Sequence, residues 1–169
     1  MRNIKIYALT AISLILAGTA LASFFSPRRK VETQIEITAS PERVWKVLTD
    51  TAAYPSWNPF IRTLTGHLRT GQRLTVKLNG QERNGDMVFN PKVIGVNPGQ
   101  YLQWIGKIWG LPGLFTGVHD FEIIPTNHGT VFRQSETFSG MFLWFYDVER
   151  VRSDFEKMNY AVKKRAESS

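Results

Sequence analysis

His119, Gln134 and Glu136 are the residues of this chain best placed to do chemistry together. They fall in two consecutive strand-like runs, about 115–124 and 130–138, joined by Asn127-His128-Gly129. So short a connection makes an antiparallel hairpin. A turn centred between Asn127 and His128 pairs residues whose numbers sum to 255: Ile123 with Phe132, Phe121 with Gln134, His119 with Glu136, and Gly117 with Phe138. All of these share one sheet face, because strand side chains alternate. The large apolar members mark that face as the concave one. His119 and Glu136 then point into an apolar interior, with Cβ atoms ~4.5–5.5 Å apart. Two readings stay open. The pair satisfies itself as a buried ion pair or hydrogen bond, or it anchors a ligand carbonyl or hydroxyl and, in an enzyme, serves as acid and base for enolisation. Gln134 adds an amide donor or acceptor on the same face, unless it meets solvent at a cavity mouth.

Other catalytic patterns are absent. The chain has no Gly-x-Ser-x-Gly elbow, phosphate loop, dinucleotide fingerprint or His-Glu-x-x-His helix. With no cysteine, thiolate metal sites, disulfides and a cysteine nucleophile are excluded. His67, His119 and His128 fall in separate segments, so neither a metal nor another cofactor is expected. Aromatic residues make up 12% of the chain, enough for a core with a cavity in it. Trp57, Phe60, Phe89, Trp104, Phe121, Phe138 and Trp144 each suit a core, and as a set they could line a pocket.

The elements that must position these residues follow from periodicity and turn chemistry. Val31 to Ala39 alternates as a half-buried strand. Ser40-Pro41-Glu42 caps a short helix whose buried face is Val44, Trp45, Val47 and Leu48. Tyr54-Pro55-Ser56-Trp57-Asn58-Pro59 breaks it and leaves room for a second short helix. Six strands follow, at about 60–68, 72–79, 84–96, 100–108, 115–124 and 130–138, punctuated by glycine and asparagine turns. From Met141 to Ala166 apolar residues recur every three or four positions, the signature of one long amphipathic helix. This order predicts an α+β fold: a curved antiparallel seven-stranded sheet wrapped around a long C-terminal helix. Between two strands, Lys107 to Phe115 is too apolar for an ordinary exposed loop. It is expected either as a lid or portal, with Trp109 gating ligand entry and touching a bilayer, or as a loop folded back onto the core.

The formal charge of +7 does not make a nucleic-acid binder. Arg2, Lys5, Arg28, Arg29 and Lys30 lie in the first 30 residues, where no acid occurs, and residues 31–169 carry 16 basic against 14 acidic side chains. That balance leaves no strong phosphate footprint. Ile6 to Ser26 is uncharged and long enough to span a hydrocarbon layer. The basic residues beyond it favour a single-pass N-terminal anchor. Ala20-Leu21-Ala22 keeps open a cleaved signal and a secreted or periplasmic product. The chain is thus expected as residues 1–30, an anchor or signal with its basic flank, and residues 31–169, one domain.

Several stretches in this order carry a family resemblance: Ala39-Ser40-Pro41-Glu42-Arg43-Val44-Trp45, Tyr54-Pro55-Ser56-Trp57-Asn58-Pro59-Phe60, Leu102 to Gly106, Gly129-Thr130 and Glu136-Thr137-Phe138-Ser139-Gly140. Over residues 31–167 the chain resembles the polyketide cyclase/dehydrase and lipid-transport branch of the SRPBCC (START-like, birch-pollen-allergen-like) superfamily. The resemblance implies a helix-grip fold with a deep apolar cavity between sheet and long helix. Two functions compete on that scaffold: a membrane-tethered binder or carrier of a hydrophobic small molecule (a lipid, quinone or polyketide-like compound), and a cyclase or dehydratase using His119 and Glu136 in the same cavity. A third is an interaction module whose cavity is filled by its own side chains.

Overall fold

Alternation at the start of the domain forms strand β1 (Arg28–Ile37), with Val31, Thr33 and Ile37 turned inward. Ser40 then caps α1 (Pro41–Thr49), its hydroxyl accepting from the backbone N–H of Arg43, while Pro41 and Glu42 occupy the first turn. A 3₁₀ turn (Thr51–Ala53) leads into the one-turn helix α2 (Tyr54–Trp57). Tyr54 fastens the two helices together, its hydroxyl donating to the Leu48 carbonyl at 2.6 Å. Burial, with a smaller push from Asp50, holds its phenol well above the ordinary value of 10. The computed structural model describes residues 26–79, 85, 87–107 and 113–168, together with Tyr7, Thr10, Ser13 and Gly18. Most of the apolar run Ile6 to Ser26, expected as an anchor or signal, lies outside the described residues. Among the described residues no helix is long and apolar enough to cross a membrane.

Asn58 turns the chain into the strands. Its Oδ1 accepts from the backbone N–H groups of Phe60 and Ile61 at 3.0 and 2.9 Å, an Asx turn in a fully buried setting. Strands β2 (Ile61–Thr65), β3 (Thr75–Leu78) and β4 (Met87–Phe89) form one antiparallel sheet. Strands β5 (Lys92–Asn97), β6 (Tyr101–Lys107), β7 (Thr116–Thr126) and β8 (Gly129–Ser139) join β1 in a second, ordered β1-β8-β7-β6-β5. The expected single sheet of seven strands is therefore, among the described residues, eight strands in two sheets. The run expected as one strand over 84–96 is cut at Asn90-Pro91, because proline brings no N–H to a ladder and restricts the residue before it. The two sheets remain joined there by a bridge between Arg73 and Lys92.

The C-terminal third differs from expectation as well. A single helix over Met141–Ala166 is replaced by two 3₁₀ turns, Met141–Trp144 and Val148–Val151, followed by α3 (Arg152–Glu167). Hydrogen bonds from Met141 N–H and Phe142 N–H to the carbonyls of Gly113 and Leu114 hold the first turn against the start of β7. Asp147, extended at φ −83° and ψ 108°, breaks the run and caps the second turn by accepting from Glu149 N–H. Helix α3 lays Phe155, Met158, Asn159, Val162 and Ala166 against the five-stranded sheet and α1. The whole is the α+β helix-grip arrangement.

Candidate functional site

The β7–β8 hairpin has the register that its two-residue turn requires. Gly117 faces Phe138, His119 faces Glu136, Phe121 faces Gln134 and Ile123 faces Phe132. The His119 ring is clamped on three sides, stacked on Phe121 with centroids 4.4 Å apart and tilted against Phe155 at 4.9 Å and Trp104 at 5.4 Å. Both ring nitrogens are engaged. Nδ1 lies 3.4 Å from Glu136 Oε2, and Nε2 lies 3.0 Å from the Gln134 amide nitrogen. An amide NH₂ only donates, so in this arrangement the neutral ring accepts at Nε2 and carries its proton on Nδ1, toward the carboxylate. Gln134 Oε1 is buried without a hydrogen-bond partner among the described residues. A half-turn of the amide would bring that oxygen to Nε2, so one residue can serve the ring in either protonation state.

Glu136 reaches its place because the residue diagonal to it on β7 is glycine. A Cβ at position 117 would stand 2.2 Å from Glu136 Oε1. The carboxylate lies across the Gly117 backbone, with 19% of its side chain still exposed against 5% for His119. His119 is therefore the interior member of the pair and Glu136 the outer one.

This pair forms one wall of a cavity of about 190 Å³ between the two sheets. Phe60 and Ile61, Leu78, and Met87 with Phe89 line it from the three-stranded side, and Trp104, Gly106, Lys107, Gly117 and Phe138 from the other. Phe115, Phe142, Tyr146 and Val151 close the end. A dry cavity of about 150 Å³ is enough to bind benzene, so this one has room for a ring with substituents. Among the described residues its only charged or titrating groups besides His119 and Glu136 are Lys107 and the Tyr146 phenol.

Of the residues expected at a site, Phe60, Phe89, Trp104, Phe138, His119 and Glu136 line this cavity, and four others do not. Phe121 is fully buried behind His119, toward Phe132. Gln134 sits beneath the imidazole. Trp57 packs edge-on to Tyr54, with the Arg165 guanidinium 5.9 Å from its ring centroid. Trp144 is 55% exposed, because the 3₁₀ turn that replaces the expected helix buries its neighbour Leu143 instead. Trp109 and the rest of 108–112 lie outside the described residues, although Lys107 and Phe115 flank that segment and line the cavity. Sequence reasoning missed Ile61, Leu78, Met87, Phe142, Tyr146 and Val151, and had Phe115 only as the end of the expected lid segment. One signal was available: Phe142, Trp144, Phe145 and Tyr146 put aromatics on every side of a regular helix, which no single buried face can hold.

A family model described as polyketide cyclase / dehydrase and lipid transport matches residues 28–167. No curated protein matches the chain. Among solved structures, the chain is similar to the di-domain ARO/CYC BexL from the BE-7585A biosynthetic pathway, at 14% identity and a TM-score of 0.68 over 84% of this chain and 51% of that one. This chain thus spans about half of that di-domain protein. A START superfamily protein from Mycobacterium smegmatis is 19% identical, with a TM-score of 0.62 over 82% of this chain and 97% of that one. Ara h 8.0201 is 12% identical, with a TM-score of 0.64 over 85% and 100%. At these identities the structural likeness speaks for the fold.

Proposed function

From the premise that the chain belongs to the polyketide cyclase/dehydrase and lipid transport family of the START-like superfamily, we propose that it binds a ring-containing hydrophobic small molecule bearing a hydroxyl group, in the cavity beside Glu136. The observation that carries this reading is a carboxylate, the one acid among the described lining residues, set into a mostly aromatic and aliphatic wall of ring-sized volume. An ionised carboxylate only accepts hydrogen bonds, so the ligand must donate. His119 has both nitrogens occupied and acts as a positioning residue, holding Glu136 while the ligand meets the outer oxygen. The apolar run Ile6 to Ser26 with its basic flank supports placing residues 31–169 at a membrane, by a single-pass anchor or, after signal cleavage, as a secreted or periplasmic domain.

A second reading, acid–base catalysis of cyclisation or dehydration, is favoured by the shielding of Glu136 in a cavity that a substrate would also fill. There the Glu136 carboxylate would take the proton α to a ligand carbonyl and return it to a β-hydroxyl, which leaves as water. Calorimetric titration with 1-naphthol and naphthalene tests the binding reading. The naphthol is expected to bind about tenfold tighter, and Glu136→Met, which leaves no strong acceptor, to erase that preference while naphthalene affinity holds. Equal affinities for the two compounds, or no binding of either, would overturn it. Turnover of a β-hydroxyketone, lost in Glu136→Gln, would establish the second reading.

A further inference from the structure

Outside the end wall of the cavity the surface carries three large aromatic side chains. Phe142 is 39% exposed, Trp144 55% and Phe145 89%. They cannot fold inward, because the 3₁₀ turn that bears them is pinned by buried Leu143 and by the bonds of Met141 and Phe142 to Gly113 and Leu114. Residues three apart eclipse in a 3₁₀ turn, so Phe142 and Phe145 share a face. A patch of this kind on a soluble face marks an interaction site.

What covers it is indicated by where the chain enters the domain. Strand β1 begins at Arg28, paired with Ser139, three residues before Phe142. The uncharged run Ile6 to Ser26 therefore joins the domain at the aromatic end. Arg28, Arg29 and Lys30 are exposed there. Among the described residues Glu32 pairs with Lys30, Glu149 pairs with Arg152, and Asp147 accepts from the Glu149 backbone, and none of these acids forms an ion pair with Arg28 or Arg29, so the two arginines can meet an outside anion. Phe142 also lines the cavity.

We propose that this end is a docking surface for an anionic lipid bilayer: Phe142, Trp144 and Phe145 enter the headgroup boundary and Arg28 and Arg29 meet the lipid phosphates. Aromatic rings with basic side chains at a bilayer surface are the chemistry such an interface selects. Because Phe142 belongs both to this patch and to the end wall of the cavity, docking here sets that wall against the lipid. The inference rests on the membrane placement above and is independent of what the cavity binds.

The chain has no cysteine, so Phe145→Cys and, on α3, Tyr160→Cys can each carry one polarity-sensitive fluorophore. The labelled full chains are mixed with phosphatidylcholine vesicles containing phosphatidylglycerol and floated on a density gradient. Flotation reports the tether, and the emission shift with quenching by nitroxides on the lipid chains reports docking. The expected result is flotation of both chains, with a blue shift and quenching at position 145 only, the shift being lost in Trp144→Ser/Arg28→Glu/Arg29→Glu. Flotation with position 145 as water-like as position 160 would overturn docking and leave the tether standing. A shift at 145 without stable flotation would do the reverse. A shift that follows protein concentration and ignores lipid would assign the patch to a second copy of the chain and overturn the proposal.

Discussion

Glu136 lies where it does only because residue 117 has no side chain. An added Cβ would stand 2.2 Å from Glu136 Oε1, where ordinary contact begins at 3.4 Å, so in Gly117→Ala the carboxylate must retreat by about 1.2 Å. Its Oε2 starts 3.4 Å from His119 Nδ1, and a retreat of that size removes the contact. Overpacking of this kind costs about 1–3 kcal/mol. The lost pair is part of that figure, and the reduced entropy of the unfolded alanine chain offsets about 0.4–1 kcal/mol. Gly117 does not have the positive φ that would strain an alanine. The net expectation is a destabilisation of about 1–2 kcal/mol, or roughly 3–8 °C in Tm for a domain of this size. In a Glu136→Ala background the obstacle is gone, and the same substitution should be neutral or stabilise by about 0.4–1 kcal/mol. Thermal and urea unfolding of the four chains completes the cycle. A cost that is the same in both backgrounds would refute the placement of the carboxylate over Gly117, and with it the geometry on which the binding reading depends.

Asn58→Ala should cost about 2–3 kcal/mol in urea unfolding, since two buried backbone N–H groups lose their acceptor. Naphthol affinity should fall with it, because Phe60 and Ile61 line the cavity. Glu167 sits at the end of α3, where the Thr38 backbone N–H, and then Lys163, hold its carboxyl below the ordinary value of 4.5. A depressed carboxyl stabilises the fold above the unfolded value and loses that contribution as pH falls through the folded one. Acidification below about 4.5 should therefore loosen the contact between α3 and β1, seen as a lower protection of the Thr38 amide relative to its intrinsic exchange rate at each pH, and Glu167→Gln should remove this part of the pH dependence.

Legibility followed sequence distance. The β7–β8 register, with His119 opposite Glu136, was readable because a two-residue turn and a side-chain period of two leave one local solution. The capped helix α1 was readable for the same reason, with Ser40, Pro41 and Glu42 all within one turn. The end wall of the cavity was not. Phe115, Phe142 and Tyr146 meet through the Phe115–Tyr146 contact at 5.9 Å and through bonds from Met141 and Phe142 back to Gly113 and Leu114. Apolar spacing in the same stretch also satisfies a helix, and only those distant partners decide against it. Trp144 turned outward and Phe121 turned into the core by the same kind of choice: each residue type suited either place.

The sequence by itself determined the family, the helix-grip order of elements, and the facing pair on the last hairpin, since these rest on motifs and on contacts between near neighbours. The tertiary structure alone decided that the Gly117 backbone makes room for the Glu136 carboxylate, and that the 3₁₀ turns both close the cavity and expose three aromatics beside Arg28. Those outcomes depend on which distant surfaces compete to be buried, and one-dimensional periodicity does not record that competition.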